Sequence, residues 1–176
     1  MTLYELFKVS SLPLTAPSPF KITSASGNGV TDDTAAIQSD LNSLRLGGHL
    51  LFPPGVYRLT STLVINKTGI TVEGMGNGTQ FLADGDYGHV FDARPDSDPT
   101  VAGAFTDVRF LSFYIASRSN RTKGSAIHTK WTHAATFRDV RIGTLQYNDS
   151  LPVFFWDGIT LENESAAILE NCQINA

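Results

Sequence analysis

A short motif recurs three times at a constant spacing, and it constrains the fold more than any other feature of the sequence. The three copies are Phe105–Phe110, Phe137–Ile142 and Leu169–Ile174, so their starting positions are equally spaced. A fixed repeat of this length predicts one structural unit stacked on copies of itself. Each unit then buries the apolar face of its neighbour.

The residues within each copy predict a short strand, because the last four positions alternate polar and apolar side chains. A second strand repeats at the same spacing, since Ser125–His128 precedes Asp157–Thr160 by one full period. Two aligned strands per repeat, with no helix between them, favour a β-solenoid. The side chains predicted to face inward are Phe105, Val108, Phe110, Phe137, Val140, Ile142, Leu169, Cys172 and Ile174.

The upstream half predicts one helix followed by short strands. The segment Gly27–Gln38 leads from a glycine-rich turn into a helix of about a dozen residues. Thr31 or Asp32 is expected to cap it by accepting backbone N–H bonds. Short strands follow around residues 49–52, 56–59, 63–65 and 70–73. The apolar stripe of the helix is predicted to consist of Ile37, Leu41 and Leu44.

Three segments together resemble the N-terminal signature of the pectate-lyase-like right-handed parallel β-helix proteins. They are Gly29–Gln38, Leu51–Tyr57 and Ile70–Gly76, and the similarity extends from about Phe20 to the C-terminus. The resemblance implies an all-β fold, a right-handed parallel β-helix with an N-terminal capping α-helix. It leaves the chemistry open, because this superfamily includes polysaccharide lyases, glycoside hydrolases, epimerases and phage tailspikes.

The region before the match has a different composition. Residues 1–19 combine an amphipathic stretch with Pro13, Pro17 and Pro19. They are similar to the segment that docks a tailspike on the virion, although a disordered terminus or a first strand is the alternative. We therefore expect an anchor or linker at 1–19 and a β-helix domain at 20–176, truncated at its C-terminal end. The resemblance implies a homotrimer attached to tail or baseplate proteins through residues 1–19, located on the virion tail and extracellular.

Composition excludes several classes of partner. A chain of 176 residues with 41% hydrophobic content is expected to form one domain. Its net charge of −4, with no clustered basic surface, disfavours nucleic acid. No apolar run approaches the roughly 20 residues that span a bilayer. The single cysteine, Cys172, is expected to be a small buried residue, and without metal-ligand spacings no metal or other cofactor is expected.

One pattern favours a secreted eukaryotic origin instead. Five segments match the N-glycosylation acceptor pattern, and all are expected in turns. Polar turns of a β-solenoid also generate this pattern, so both interpretations remain open. The five acceptor positions are Asn66, Asn77, Asn120, Asn148 and Asn163.

Charged residues of the repeat are the candidates for chemistry. Asp107 and Asp139 occupy equivalent positions of two copies, so they are predicted to lie about 4.8 Å apart on successive rungs. Glycoside hydrolysis uses two nearby carboxyls, which makes this pair the candidate catalytic residues. Arg109, Arg141 and Gln173 form a parallel column two residues further on, and its two arginines are predicted to bind substrate. A solvated face with paired charges is the alternative.

Aromatic residues beside these columns are candidates for stacking on sugar rings. Those predicted to bind substrate are Trp131, Trp156 and Tyr147. They can equally cover the flank of the solenoid, as is expected of Phe154 or Phe155. His128 and His133 bracket Trp131, and we interpret them as turn residues in preference to catalytic bases.

The sequence as a whole predicts a phage tailspike or tail-fibre receptor-binding protein. It would recognise a host surface polysaccharide and depolymerise it as a lyase or a glycoside hydrolase. A secreted carbohydrate-active enzyme and a non-catalytic structural spike remain as alternatives. No residue matches an established catalytic set of the superfamily. The longer predicted loops, 84–99 and 115–123, are further places for a glycan site.

Overall fold

The structure is a computed structural model that describes residues 19–96, 105–144, 155 and 157–175. It contains one α-helix, a short 3₁₀ turn at Gly76–Gly78 and sixteen strands in this part of the chain. The elements in chain order are β1 Phe20–Ile22, β2 Asn28–Asp32, α1 Thr34–Ser43, β3 His49–Leu51, β4 Gly55–Leu59, β5 Leu63–Ile65, β6 Thr71–Glu73, β7 Thr79–Ala83, β8 Phe91–Ala93, β9 Phe105–Thr106, β10 Arg109–Ser117, β11 Ser125–Lys130, β12 Thr132–His133, β13 Ala135–Thr144, β14 Asp157–Glu162, β15 Ala167–Glu170 and β16 Gln173–Ile174.

The strands form parallel columns, in which each strand pairs with its equivalent from the next turn of the chain. The first column contains β1, β3, β6 and β15, and the second contains β2, β4, β7 and β16. The third column is β5, β8, β11 and β14. Every strand pair among the described residues is parallel. This all-β arrangement is consistent with a parallel β-helix, as the sequence predicts.

Two long strands connect the first and second columns. The first part of β10 pairs with β6, and its last part pairs with β7. Between the two parts lies Ser112, whose φ of 57° is left-handed and bends the strand. β13 lies on β10 along both parts and bends at Asp139, where φ is 55°. Single left-handed residues therefore form the corner between these columns.

The core is built from inward aromatic side chains of successive turns. Phe81 contacts Phe91 and Phe113 edge-on at centroid distances of 5.0 and 5.2 Å, and Phe110 stacks on Phe137 at 5.6 Å. All of these rings are buried to within 1%. Burying one such side chain contributes about 3 kcal/mol. Packing between turns therefore supplies much of the stabilisation of this solenoid-like stack.

The helix forms where the sequence predicts it. Its stripe of Ile37, Leu41 and Leu44 is buried. The predicted cap is partly right, because Asp32 Oδ1 accepts the backbone N–H of Thr34 at 3.1 Å, but the N-cap position itself is Asp33. The Asp33 carboxylate is directed elsewhere and accepts the N–H groups of Ser26 and Gly27.

A side-chain amide joins this helix to the third column. The Gln38 amide donates to the Val64 carbonyl at 2.9 Å and accepts the Val64 N–H at 2.8 Å. Gln38 thus replaces a neighbouring strand at this point of β5. Within the described ranges, no helix has the length and apolar content needed to cross a membrane.

The predicted constant spacing is right for one step of the stack and wrong for the other. β13 pairs with the last strands at that spacing, as Phe137 with Leu169, and so do β11 and β14, as Ser125 with Asp157. A constant spacing would likewise pair Phe110 with Ile142, but β10 and β13 pair Phe110 with Phe137. The first and second copies of the motif are therefore not equivalent in the stack.

The predicted inward residues are buried in β10 and β13 and less so in the last strands. Leu169 is 50% exposed and Ile174 is 40% exposed, while Cys172 is intermediate. The last two strands, β15 and β16, form the outer edge of the described sheet, so their side chains have neighbours on one side. The side chain of Phe105 lies outside the described residues, as do residues 1–18 of the predicted anchor.

Candidate functional site

The two predicted catalytic aspartates lie at different corners of the molecule. Asp107 occupies the corner between β9 and β10, where its N–H donates to the His133 carbonyl at 3.0 Å. Asp139 lies at the bend of β13, and the pairs on either side of it place Ser112 as its counterpart in β10. The prediction that Asp107 and Asp139 stack on successive rungs is therefore wrong. A two-carboxyl site formed by this pair has no support from the register.

Asp107 lines an open groove on the first column, which we call the Asp107 groove. Its volume is about 470 Å³, and its floor is a register column in which Phe20, His49, Thr71 and Arg109 follow one another on four strands. Parallel strands are about 4.8 Å apart, so these side chains extend across roughly 14 Å. Asp107 and Arg109 are both exposed. The groove thus presents a carboxylate, a guanidinium, a partly exposed imidazole and a phenyl ring to solvent, whereas Thr71 in its floor is only 8% exposed.

The imidazole of this groove is held by two neighbours. The His49 ring packs edge-on against Phe20 at a centroid distance of 5.1 Å. Its Nε2 lies 2.7 Å from Glu73 Oε2, although the two atoms are not aligned as a hydrogen bond. His49 therefore has an acid partner on the adjacent rung that sequence reasoning missed, because the two positions are far apart in the sequence.

The floor of the Asp107 groove depends on a close approach of two glycines. Gly69 has a φ of 76°, and a Cβ added to it would lie 2.9 Å from the Gly47 Cα. Gly47 itself has a φ of 71°. A side chain at position 69 would be strained by the backbone and would push the two turns apart. Glycine at this position keeps the groove open beside Thr71.

Arg141 lines a second open groove, which we call the Arg141 groove. It has a volume of about 330 Å³ and follows a register column in the second column of strands. That column consists of Gln80, Tyr114, Arg141 and Gln173, one residue from each strand. Burial raises the pKa of Tyr114, so its hydroxyl stays protonated as a donor near neutral pH. The predicted column is thus right for Arg141 with Gln173 and wrong for Arg109.

The phenol of the Arg141 groove lies beside a glycine. A Cβ added to Gly143 would lie 3.3 Å from the Tyr114 hydroxyl. A larger residue there would crowd the phenol, whose position the groove needs for hydrogen bonding. None of the residues that line this groove in the structure is a carboxylate. The hydrogen-bonding groups of its side chains are amides, a phenol and one guanidinium.

The structure describes only some of the other residues that are predicted to bind substrate. Trp131 lies at the corner between β11 and β12 with a φ of 57°, and its N–H donates to the Glu162 carbonyl at 2.9 Å. A tryptophan in this left-handed conformation is strained, whereas Asn163, one rung on, adopts the same conformation more readily. Trp156 and Tyr147 lie outside the described residues. Phe155 is buried, as expected of a residue that covers the flank.

The interpretation of His128 as a turn residue is wrong, because His128 belongs to the predicted strand Ser125–His128, which forms as part of β11. It lies in β11, is 7% exposed, and is paired in register with Asp92 of β8. The strand pattern contained a signal, because Ile127 faces the core and the next residue must face outward. Its acid partner could not be found, since β8 falls within a segment predicted to be a loop. In the part of the chain that the structure describes, no cluster of His, Cys, Asp and Glu could hold a metal ion.

Comparison with known proteins identifies the family of this fold. The family model for rhamnogalacturonase A/epimerase, pectate lyase-like, matches residues 21–176. The chain belongs to this family. A comparison with curated protein sequences gives no match.

The fold of this pectate-lyase-like chain is similar to the solved structure of a phage protein. It is similar to ORF18 of Geobacillus virus E2, with a TM-score of 0.61 and 27% sequence identity. The match covers 69% of this chain and 25% of the phage protein, so the chain spans about a quarter of that protein's length.

The grooves of this pectate-lyase-like chain contain the groups that sugar chemistry uses. Aromatic faces such as Phe20 stack on sugar rings, and guanidinium groups bind carboxylates and hydroxyls. A carboxylate that acts as acid or base beside a cation is the minimum for proton transfer at a sugar carbon or a glycosidic oxygen. The Asp107 groove contains both, in Asp107 and Arg109, and the Arg141 groove does not. The two grooves therefore differ in what they can do.

Proposed function

We propose that this chain is the N-terminal part of a phage tailspike that recognises and depolymerises a host surface polysaccharide. In this proposal the strands continue into a complete right-handed β-helix, and α1 caps its first rung. The chain assembles as a homotrimer that attaches to the virion tail through residues 1–19. The family match and the similarity to a phage protein support this function. The observation that carries the chemical part is the Asp107 groove.

The role assigned to this groove follows from its residues. Asp107 acts as the acid or base, and Arg109 stabilises negative charge that develops on the sugar. Phe20 and Thr71 position the saccharide along the column of strands. The Arg141 groove binds a further part of the same polymer through Tyr114 and the flanking amides. Trp131, Trp156 and Tyr147 remain predicted contacts for the glycan.

The test uses two aspartates that share the same local motif. The 176-residue chain is incubated with a panel of bacterial surface polysaccharides, and cleavage is followed by new reducing ends and by the absorbance of unsaturated uronates. We expect Asp107→Asn to reduce cleavage about 100-fold. Asp139→Asn, in the same sequence context at the other corner, is the matched control and should cleave like the wild type. Equal losses in both variants would contradict the assignment of Asp107.

Two further measurements separate the alternatives. Light scattering gives the mass of the particle, and a trimer is expected. Binding of a polysaccharide without any cleavage would favour a non-catalytic receptor-binding spike. A secreted carbohydrate-active enzyme is the other candidate, because the four acceptor asparagines within the described residues are all exposed: Asn66, Asn77, Asn120 and Asn163. Glycans on these positions after expression in a eukaryotic secretory host, together with a monomeric mass, would favour it.

A further inference from the structure

A cluster of charged and titratable residues lies on the third column, away from both grooves. Asp92 of β8 and His128 of β11 are paired in register on the outward side of the strands. Their side chains are nevertheless only 9% exposed each. Their neighbours along each strand, Phe91 and Ile127, are fully buried on the opposite, inward side. An outward position that is buried needs partners for every polar atom.

His128 lies between two carboxylates that belong to different strands. Its Nδ1 is 2.8 Å from Asp92 Oδ1, and its Nε2 is 3.4 Å from Glu162 Oε2. Because β11 separates β8 from β14, one imidazole connects three successive turns of the chain. The second Glu162 oxygen, Oε1, lies 2.9 Å from Lys130 Nζ. We call Asp92, His128 and Glu162 the His128 bridge.

The protonation state of the His128 ring decides whether its contacts with Asp92 and Glu162 are both favourable. An ionised carboxylate only accepts hydrogen bonds, so Asp92 requires a proton on Nδ1. A neutral imidazole then has a lone pair on Nε2, and that lone pair faces the Glu162 carboxylate. An imidazolium has a proton on each nitrogen and donates to both carboxylates. Protonation of His128 therefore changes the Glu162 contact from repulsive to attractive.

The charges around the bridge keep both carboxylates ionised. Burial raises the pKa of Asp92, but its hydrogen bond to His128 and the charge of Arg94 outweigh burial, and the net pKa is lowered. The hydrogen bond from Lys130 lowers the pKa of Glu162 despite some desolvation. Arg94 Nε lies 2.8 Å from the second carboxylate oxygen of Asp92, Oδ2. Both acceptors are thus present across the range in which an imidazole titrates.

A second histidine packs on the first without competing for its proton. The His89 ring stacks on His128 at a centroid distance of 4.2 Å, and its Nδ1 lies 2.8 Å from Ser125 Oγ. Burial, and then the charge of His128, lower the pKa of His89, and Arg121 acts in the same direction. Near neutral pH the His89 ring is therefore uncharged.

We propose that the His128 bridge is a proton-operated clamp that fastens β14 to β11 and β8 when the His128 imidazole carries a proton on both nitrogens. When the ring is neutral the Nε2 contact is lost, and β14 is held by its backbone ladder and by Lys130. The Glu162 carbonyl accepts the Trp131 N–H, so the clamp also fixes the corner that carries Trp131. The proposal is independent of the polysaccharide function, because neither groove contains a member of the bridge.

Hydrogen exchange on the whole chain tests the clamp directly. Amide exchange of β14 and of Trp131 is measured at pH 5.5 and pH 8.0 and corrected for the intrinsic rate at each pH. Since Glu162 is half-exposed, we expect protection to be about two- to fivefold higher at pH 5.5. Glu162→Gln should abolish this difference, and its exposed position means that the variant should fold. His133→Gln removes an exposed histidine outside the bridge and should preserve the difference.

Nitrogen NMR of the imidazole supplies a second, independent readout. We expect the second proton to appear on the His128 ring over the same pH range in which the protection of β14 increases. The proposal is overturned if β14 protection is the same at the two pH values in the wild type. It is also overturned if Glu162→Gln keeps the full pH difference, or if His128 is neutral at pH 5.5.

Discussion

Outward-facing side chains have opposite environments on different columns of this molecule. On the first and second columns they line open grooves, and Asp107, Arg109 and Arg141 are exposed to solvent. On the third column Asp92 and His128 are buried and paired with each other. The position in the strand is the same, so the strand pattern alone does not decide between the two outcomes.

The difference comes from the turn that precedes the third column. Arg121 is only 4% exposed, donates to the Gly85 carbonyl at 2.8 Å, and lies 4.3 Å from the Tyr87 ring. It holds this turn against the strands, and His89 at the end of the turn covers His128. No comparable cover lies over the two grooves in the described residues. Outward residues are therefore open to solvent where no turn covers them, and they join strands where turns cover them.

The largest expected loss of stability comes from a substitution in the buried third column. Asp92→Ala leaves His128 and Arg94 without their shared acceptor in a poorly solvated site. We expect a loss of about 3 kcal/mol in the free energy of unfolding, measured by urea denaturation. Glu170→Ala removes an exposed carboxylate from β15 and should cost less than about 0.5 kcal/mol. Similar losses in both variants would show that burial of the third column does not matter to stability.

A second buried carboxylate, that of Asp40 in α1, predicts that the stability of the fold depends on pH. Burial raises the pKa of Asp40, but the ion pair with Lys21 and hydrogen bonds from Ser24 and Thr23 outweigh burial, so the net pKa is lowered. A lowered pKa in the folded state means that Asp40 stabilises the fold above the ordinary carboxyl pKa of about 4 and ceases to do so as the pH falls through its folded value.

The variant Asp40→Asn isolates this contribution. At pH 7 it should be less stable than the wild type by about 2 kcal/mol, because the amide cannot pair with Lys21. The gap should narrow as the pH falls below about 4. Unfolding curves at pH 7, 5 and 3 measure it, and a gap that stays constant down to pH 3 would contradict the assigned cause.

The smallest effect on stability is expected in the open grooves. Arg141→Gln should change the free energy of unfolding by less than about 0.5 kcal/mol. If the groove binds the polymer, the same change should weaken polysaccharide binding about tenfold, since a charge-assisted contact is lost. Arg138→Gln, an exposed arginine of the same strand outside both grooves, is the control. If the two variants bind the polysaccharide with equal affinity, Arg141 is not part of the binding surface.

Much of the fold could be predicted because its signals are local. The stripe of α1 and the strands at β3, β4, β5 and β6 follow from apolar spacing and from Pro and Gly between them. β8 was missed, since Phe91–Ala93 is too short to show a period. Its Asp92 is distant in sequence from His128, so the buried pair had no local signal either. The candidate site was predicted in part: Asp107 and Arg109 share a groove, but their supposed partners do not.

The sequence by itself determined where the chain bends, and the tertiary structure decided how the bends stack. In each copy of the motif an Asp or Asn after two strand residues has a left-handed φ: 57° at Asp107, 55° at Asp139 and 53° at Asn171. These short polar side chains favour that conformation locally. Asp107, however, marks a different corner from the other two. The length of the intervening turns determines which residues of successive rungs lie next to each other. The stacking of Phe110 on Phe137 fixes the register of β10 on β13. A spacing that is constant in the sequence is therefore not constant in the stack of strands.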